Sequence, residues 1–217
     1  MTTFPGSPRL VKGGVVLVDP SSGRVLRVIS LQYNPDTLTR SLQVKGVAAE
    51  GGDRSEALRL KGPPVETYKL EAELDATDAL AAGEPGAVAR GLHAELAVLE
   101  LLVYPSTAQL RQLDAQASAG VLEVAPMETP LTLFIWSQHR IVPVRITEMS
   151  VTEEAFDSQL NPIRAKVSLG LRVLSVDDLG FRHRGGSLFM VYQGQKEQLA
   201  ALGQPGVLST LGIAGVL

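Results

Sequence analysis

The chain contains no cysteine. Disulfide frameworks, thiolate nucleophiles and cysteine-ligated zinc are excluded with it. Aromatic residues fill only 5% of the 217 positions, so a core must be built mostly from Val, Leu, Ile and Ala. No apolar run comes near the ~20 residues that a bilayer-spanning helix needs. The segment from Met1 to Leu10 lacks the apolar centre of a secretory leader. Strong net charge is missing too. The formal value is -3, which argues against general nucleic-acid binding, since that needs a basic face to displace counterions. A cytoplasmic protein with no direct membrane insertion is expected. Hydrophobic residues make up 45% of the chain, enough to bury a real core.

What is present is dominated by period-two alternation. From Asn161 to Leu174 the odd positions Ile163, Ala165, Val167, Leu169, Leu171 and Val173 are apolar. Between them lie Arg164, Lys166, Ser168, Gly170 and Arg172. Only a β-strand turns that pattern into one buried and one wet face. The wet face of this strand carries three cations and no anion, in a chain that is acidic overall. It suggests a solvated sheet surface or a wall that faces a lumen or a partner, rather than an active site.

Residues 1 to 9 read as an extended arm. Val11 to Val18 and Val25 to Tyr33 flank Asp19-Pro20-Ser21-Ser22-Gly23, a dense turn signal, and read as a hairpin. Asn34 and Pro35 break the second strand, and Thr37 to Val44 resumes extended structure. Residues 45 to 64 read as a long loop. Val65 to Asp75 alternates again, with Tyr68, Leu70, Ala72 and Leu74 on one face. Asp75 to Gly86 reads as a connection.

Val88, Leu92, Leu96, Leu99 and Val103 recur at helical spacing and predict one helix over 87–104. A weaker helix follows over 107–119. Leu131 to Trp136 and Ile141 to Val151 predict a second hairpin, and 153–160 a short link. Asn161 and Pro162 are assigned, like Asn34 and Pro35, to turns that set where strands begin. Met190 to Leu202 has helical character. Val207 to Leu217 carries no charge and reads as an apolar tail. About seven strands and one main helix give a mainly β, α+β class.

Chemistry is sparse. His93 has no second ligand at helical spacing, so it reads as a helix-surface residue. His139 lies near Ser137, but no Gly-x-Ser-x-Gly elbow exists. His183 sits between two arginines. The carboxylate pairs Asp75/Asp78, Glu153/Glu154 and Asp177/Asp178 fall at strand ends and turns, where acids are common anyway. No calcium loop or phosphate loop has its required spacing. No catalytic, metal or cofactor residue is assigned.

Three ordered segments carry a family resemblance. They are Ile29-Ser30-Leu31-Gln32-Tyr33-Asn34-Pro35-Asp36-Thr37-Leu38-Thr39-Arg40; Thr129 to Trp136, running on through Val142-Pro143-Val144-Arg145-Ile146; and Phe156 followed by Asn161 to Leu169. In this order they resemble the tube-like proteins of phage-tail-derived contractile injection systems. The match is nearest to the baseplate adaptor of the extracellular systems, and it covers residues 10 to 178. The resemblance implies two packed sheets forming a barrel-like sandwich with one flanking helix, and six copies in a ring whose sheets join around a channel. It implies a non-enzymatic subunit that joins spike-hub to inner tube and nucleates tube growth. Its partners would be further copies in a homohexamer, the inner-tube protein, the spike or hub protein and other baseplate subunits. Assembly would occur in the cytoplasm, with release as part of the particle.

On this reading residues 1–178 form the tube-like domain and 179–217 an extension that docks on neighbouring subunits. Arg164, Lys166 and Arg172 are the expected ring contacts, with Val207, Leu208, Leu211, Ile213 and Leu217 from the tail. One departure stands out: adaptors of this family commonly continue into a LysM module, and none is evident after Gly180. An inner-tube protomer or a tube-end terminator is the alternative within the class. A β-sandwich binding module or hydrolase, resting on His139 and the paired acids, is the alternative outside it.

Overall fold

A computed structural model describes residues 10–46, 59–120, 129–203 and 206–213. The expected arm at 1–9 and most of the expected loop lie outside the described residues. Seven antiparallel strands form one sheet: β1 Gly14–Val18, β2 Val25–Ser30, β3 Thr39–Gln43, β4 Val65–Asp75, β5 Leu131–Ser137, β6 Arg140–Phe156 and β7 Pro162–Val173. The order across it is β2-β1-β5-β6-β7-β4-β3. Helices are α1 Thr77–Ala81, α2 Pro85–Arg90, α3 His93–Glu100, α4 Thr107–Ser118, α5 Val176–Leu179 and α6 Arg184–Ala201.

The expected pair of packed sheets is instead a single curled sheet. The rings of Tyr68 on β4 and Phe134 on β5 lie 5.4 Å apart. Three strand spacings separate those strands, about 14 Å if the sheet were flat. Curling lets the two ends of the sheet face each other across one core, as two sheets would. A bulge at Thr147, where β6 slips against Gly170 and Leu171 of β7, assists the bend. The alternation on β4 and β7 explains the core. Tyr68, Leu70, Ala72, Ala165, Val167, Leu169 and Leu171 all point inward and are buried.

No β2–β3 ladder closes the barrel among the described residues. Gln32, just after β2, does part of that work. Its side-chain amide donates to the Asp75 carbonyl at 2.8 Å and accepts from the Asp75 N–H at 2.9 Å. One side chain thus imitates a ladder residue and ties the end of β2 to the end of β4.

The helix expected over 87–104 is broken. Gly91 takes φ +52, between α2 and α3. A Cβ there would run into the Pro162 carbonyl oxygen, and the Leu92 N–H donates to that same oxygen at 2.9 Å. Docking on the start of β7 therefore overrides the helical period. Leu92, Leu96 and Leu99 are buried while Val88 and Val103 are exposed. The expected connection after Asp75 contains α1 and the start of α2. Strand β6 runs through Glu153 to Phe156, leaving only 157–161 as the turn. Helix α6 begins six residues before Met190 and places Phe189 and Tyr192 in the main core.

Candidate assembly surfaces

Cross-strand register decides what the outer face of β7 looks like. Arg164 lies opposite Asp75 of β4 and Glu154 of β6. Its Nε donates to Asp75 Oδ2 at 2.9 Å. Lys166 Nζ is 3.6 Å from Glu154 Oε1. Arg172 Nη2 donates to Asp178 Oδ1 at 2.6 Å. The face is therefore a mixed-charge lattice, although β7 itself supplies only cations. Hydrogen bonds from Thr77, and then Arg164, hold the Asp75 carboxyl below its ordinary pKa. Burial works to raise Asp178, but the Ser175 N–H and Arg172 outweigh it and hold that carboxyl low as well.

The four turn residues occupy defined positions. Asn34 Oδ1 accepts from the Gly13 N–H at 2.9 Å, and its Nδ2 donates to the Val11 carbonyl at 2.8 Å. Asn34 thereby extends the pairing of β1 beyond the ladder, with Pro35 half-buried beside it. Asp157 closes the β6–β7 turn by accepting from the Asn161 N–H and Nδ2, each at 2.8 Å. Pro162 follows, fully buried.

Both ends of the sheet are exposed, the β2 end largely apolar and the β3 end largely polar. Strand β2 shows Val25, Leu26 and Val28 to solvent, with Val28 66% exposed. Every residue of β3 is exposed, including Leu42. In the tail, Val207, Leu208, Leu211 and Ile213 are exposed around a 3-10 turn at Leu208–Leu211; Leu217 lies outside the described residues. Arg172 lies at the level of Thr67 on β4 and, through it, of Ser41 on the β3 edge, whereas β2 lies four strands from β7.

Sequence reasoning missed a buried polar cluster. Glu66 lies on the inward face of β4, two residues before Tyr68, and is only 2% exposed. Its Oε1 accepts from the hydroxyls of Tyr68 and Tyr192, each at 2.7 Å. Its Oε2 accepts from Lys196 Nζ at 2.9 Å. Arg40 of β3 approaches to 3.9 Å. Burial would raise the Glu66 pKa, but the two hydroxyls and Lys196 outweigh it and hold the carboxyl below its ordinary value. Burial, and then the hydrogen bonds, push Tyr192 well above the ordinary tyrosine range. The cluster is a clamp that fixes α6 to the sheet. Its sequence signal was an acid in phase with an apolar strand face.

Little else is arranged for chemistry. His93 opens α3, His139 sits in the β5–β6 turn, and His183 Nδ1 accepts from the Gly185 N–H at 3.1 Å to cap α6. Among the described residues no three His, Asp or Glu side chains gather as a metal site. Nor is any buried side-chain polar atom there without a partner. A cavity of about 550 Å³ lies between the ends of β2 and β4 and helices α2 and α3, and its lining holds no histidine.

No family model matches the chain, and no curated protein matches it. Solved structures similar to it include a chain from the tail of an empty gene transfer agent particle. That chain is 12% identical, with 75% of this chain and 90% of that one covered and a TM-score of 0.30. A chain from the virion of a native gene transfer agent particle is 11% identical, with 74% and 90% covered and a TM-score of 0.28.

Proposed function

We propose that the chain is a non-enzymatic structural subunit of a phage-tail-like contractile injection system, a baseplate adaptor ring between spike-hub and inner tube. The observation that carries this reading is the single curled sheet whose end strands, β2 and β3, each lack a strand partner on one side among the described residues. Such edges are aggregation hazards in a lone protein and are normally blunted by charge or proline. Here β2 exposes Val25, Leu26 and Val28 around a single charge, Arg27, while β3 is polar apart from Leu42 and carries Arg40. An edge of one copy that meets the opposite edge of the next is a head-to-tail contact, which closes into a ring if the rotation allows. The ordered resemblance of the three sequence segments supplies the particle, the six-fold ring and the hub and tube partners.

The mechanism is templating. Ring geometry fixes the first layer on which tube subunits add. Rows of Arg164, Lys166 and Arg172, already paired within each copy, contribute shape and local polarity to the ring wall rather than a strong positive field. Electron microscopy of particles from cells lacking the chain tests the reading: loss of tube and sheath is expected, and intact particles would overturn it. Purified protein distinguishes the related alternative. Discrete rings fit an adaptor, whereas long open tubes of this chain alone would make it a tube protomer.

A further inference from the structure

The sheet has a third open edge besides β2 and β3. Strand β5 pairs with β6 only as far as Val144; from there to Phe156, β7 is the one strand that pairs with β6 among the described residues. Within that half, residues 149–154 form a regular stretch between the bulge at Thr147 and Ala155, whose φ is +52. Met149, Val151 and Glu153 share the inner face with Leu169, Val167 and Ala165 of β7, directly opposite them. Glu153 is exposed. Strand β3 has a matching length and pattern. Arg40 and Leu42 share the inner face with Tyr68 and Glu66 of β4, and alternation continues that face to Val44. Leu42 is 48% and Val44 66% exposed. Arg40 stands 3.9 Å from Glu66, whose carboxylate is already bonded to Lys196 and two tyrosine hydroxyls. Its guanidinium is only loosely engaged within one copy.

We infer that β3 of one copy pairs antiparallel with residues 149–154 of β6 on the next copy, with Arg40 beside Glu153. The inference rests on the ring reading, which leaves open which edge of the next copy receives β3. Strand direction is right for it. The run β6-β7-β4-β3 is four antiparallel strands, so β3 and β6 run in opposite senses and a neighbour placed by rotation continues the alternation. Register then follows from side chains. Setting Arg40 opposite Glu153 sets Leu42 opposite Val151 and Val44 opposite Met149 on the inner face, with Ser41 opposite Thr152 on the outer one. An opposite-charge pair and two apolar pairs each favour that alignment. Sliding β3 by two residues places Arg40 beside Val151 or Leu42 beside Glu153, and sliding by one turns the apolar set to the wrong face. The same chain cannot supply this contact, because β7 and β4 stand between its own β3 and β6.

The cysteine-free sequence makes the test clean. One chain carries both Ser41→Cys and Thr152→Cys, two exposed positions that the inferred register sets side by side. Within a copy they are three strand spacings apart, about 14 Å, which is too far for a disulfide. Any bond formed on oxidation therefore joins two copies. Sedimentation reports the oligomer, and a denaturing gel without reductant should show a series of linked chains. A second chain with Ser41→Cys and Val28→Cys tests β2 as the receiving edge and should show none. Linked chains from the second pair instead of the first overturn the inference and leave the ring standing. An oligomer linked by neither pair does the same. Glu153→Arg, at an exposed position, should leave the thermal melt unchanged and weaken association several-fold by facing Arg40 with a like charge. Association equal to that of the native chain overturns the pairing. A native chain that stays monomeric at high concentration, with no linked product from either pair, overturns the ring reading and the inference together.

Discussion

The centre of the sheet and its two ends are built to different standards. In the centre, Tyr68, Val142, Val167 and Leu171 are wholly buried. The carboxylate buried there, Glu66, is matched by two hydroxyls and an ammonium group. At the ends, β2 and β3 leave Val25, Val28 and Leu42 in water. One sequence has therefore satisfied its polar groups where water is excluded and left apolar groups where water is not. Exposed apolar residues on an unpaired edge strand such as β2 are the ones a further strand could cover.

The contrast predicts a graded set of responses. Removing packing from the centre should cost most. Leu171→Ala empties a fully buried site between β4 and β6 and should lower stability by about 3 kcal/mol, read as a fall in the urea midpoint. Glu66→Ala should cost somewhat less, about 2 kcal/mol, because it takes the shared acceptor from two buried tyrosine hydroxyls, which keep only their mutual 2.9 Å bond, and releases the partly exposed Lys196. Its acid dependence has a fixed sign. The folded pKa of Glu66 lies below its ordinary 4.5. The clamp is therefore at full strength above that value and weakens as pH falls through the folded value. Urea midpoints at neutral pH and at about pH 3.5 should differ more in the native protein than in Glu66→Gln. Equal differences would remove Glu66 from the acid response.

The centre was also the legible part of the fold. Alternation places Val65 to Asp75 and the strand after Asn161 directly, because an isolated strand already contains the period-two rule that burial enforces. The helix over 87–104 was misread since its break depends on Gly91 touching Pro162, a contact between segments 71 residues apart in sequence. The lattice of charges on β7 was half legible. Its cations are in the strand, but Asp75 and Glu154 reach them only through register. Glu66 was visible as an acid in phase with Tyr68 and Leu70, yet its partners Tyr192 and Lys196 come from α6, more than 120 residues away. The edges of the sheet depend on strand order, which no local pattern encodes.

Moving outward, the ion pairs should contribute progressively less. Arg172→Ala breaks a short, half-buried bond to Asp178 and should cost about 1 kcal/mol, whereas Arg164→Ala, at a more exposed pair, should cost about 0.5 kcal/mol or less. Added salt should narrow the second effect more than the first. Thermal melts of the two variants at low and high salt check the ordering.

The smallest effect on the fold is expected where the effect on assembly is greatest. Val28 points to solvent from an edge strand, so Val28→Lys removes no buried contact within a copy and should change stability by about 0.5 kcal/mol or less. A lysine on that edge nevertheless opposes pairing, because docking another strand would desolvate its charge. If the proposed ring pairs through this edge, sedimentation should show a ring for the native chain and a monomer for the variant, with an unchanged melt. Val28→Thr, which keeps the β-branched shape and adds no charge, should retain assembly. If Val28→Lys assembles as well as the native protein, β2 is not a ring contact, and the exposed end of the sheet must be explained by some other partner. If it melts far earlier, β2 belongs energetically to the centre, and the division drawn between the two regions fails at that strand.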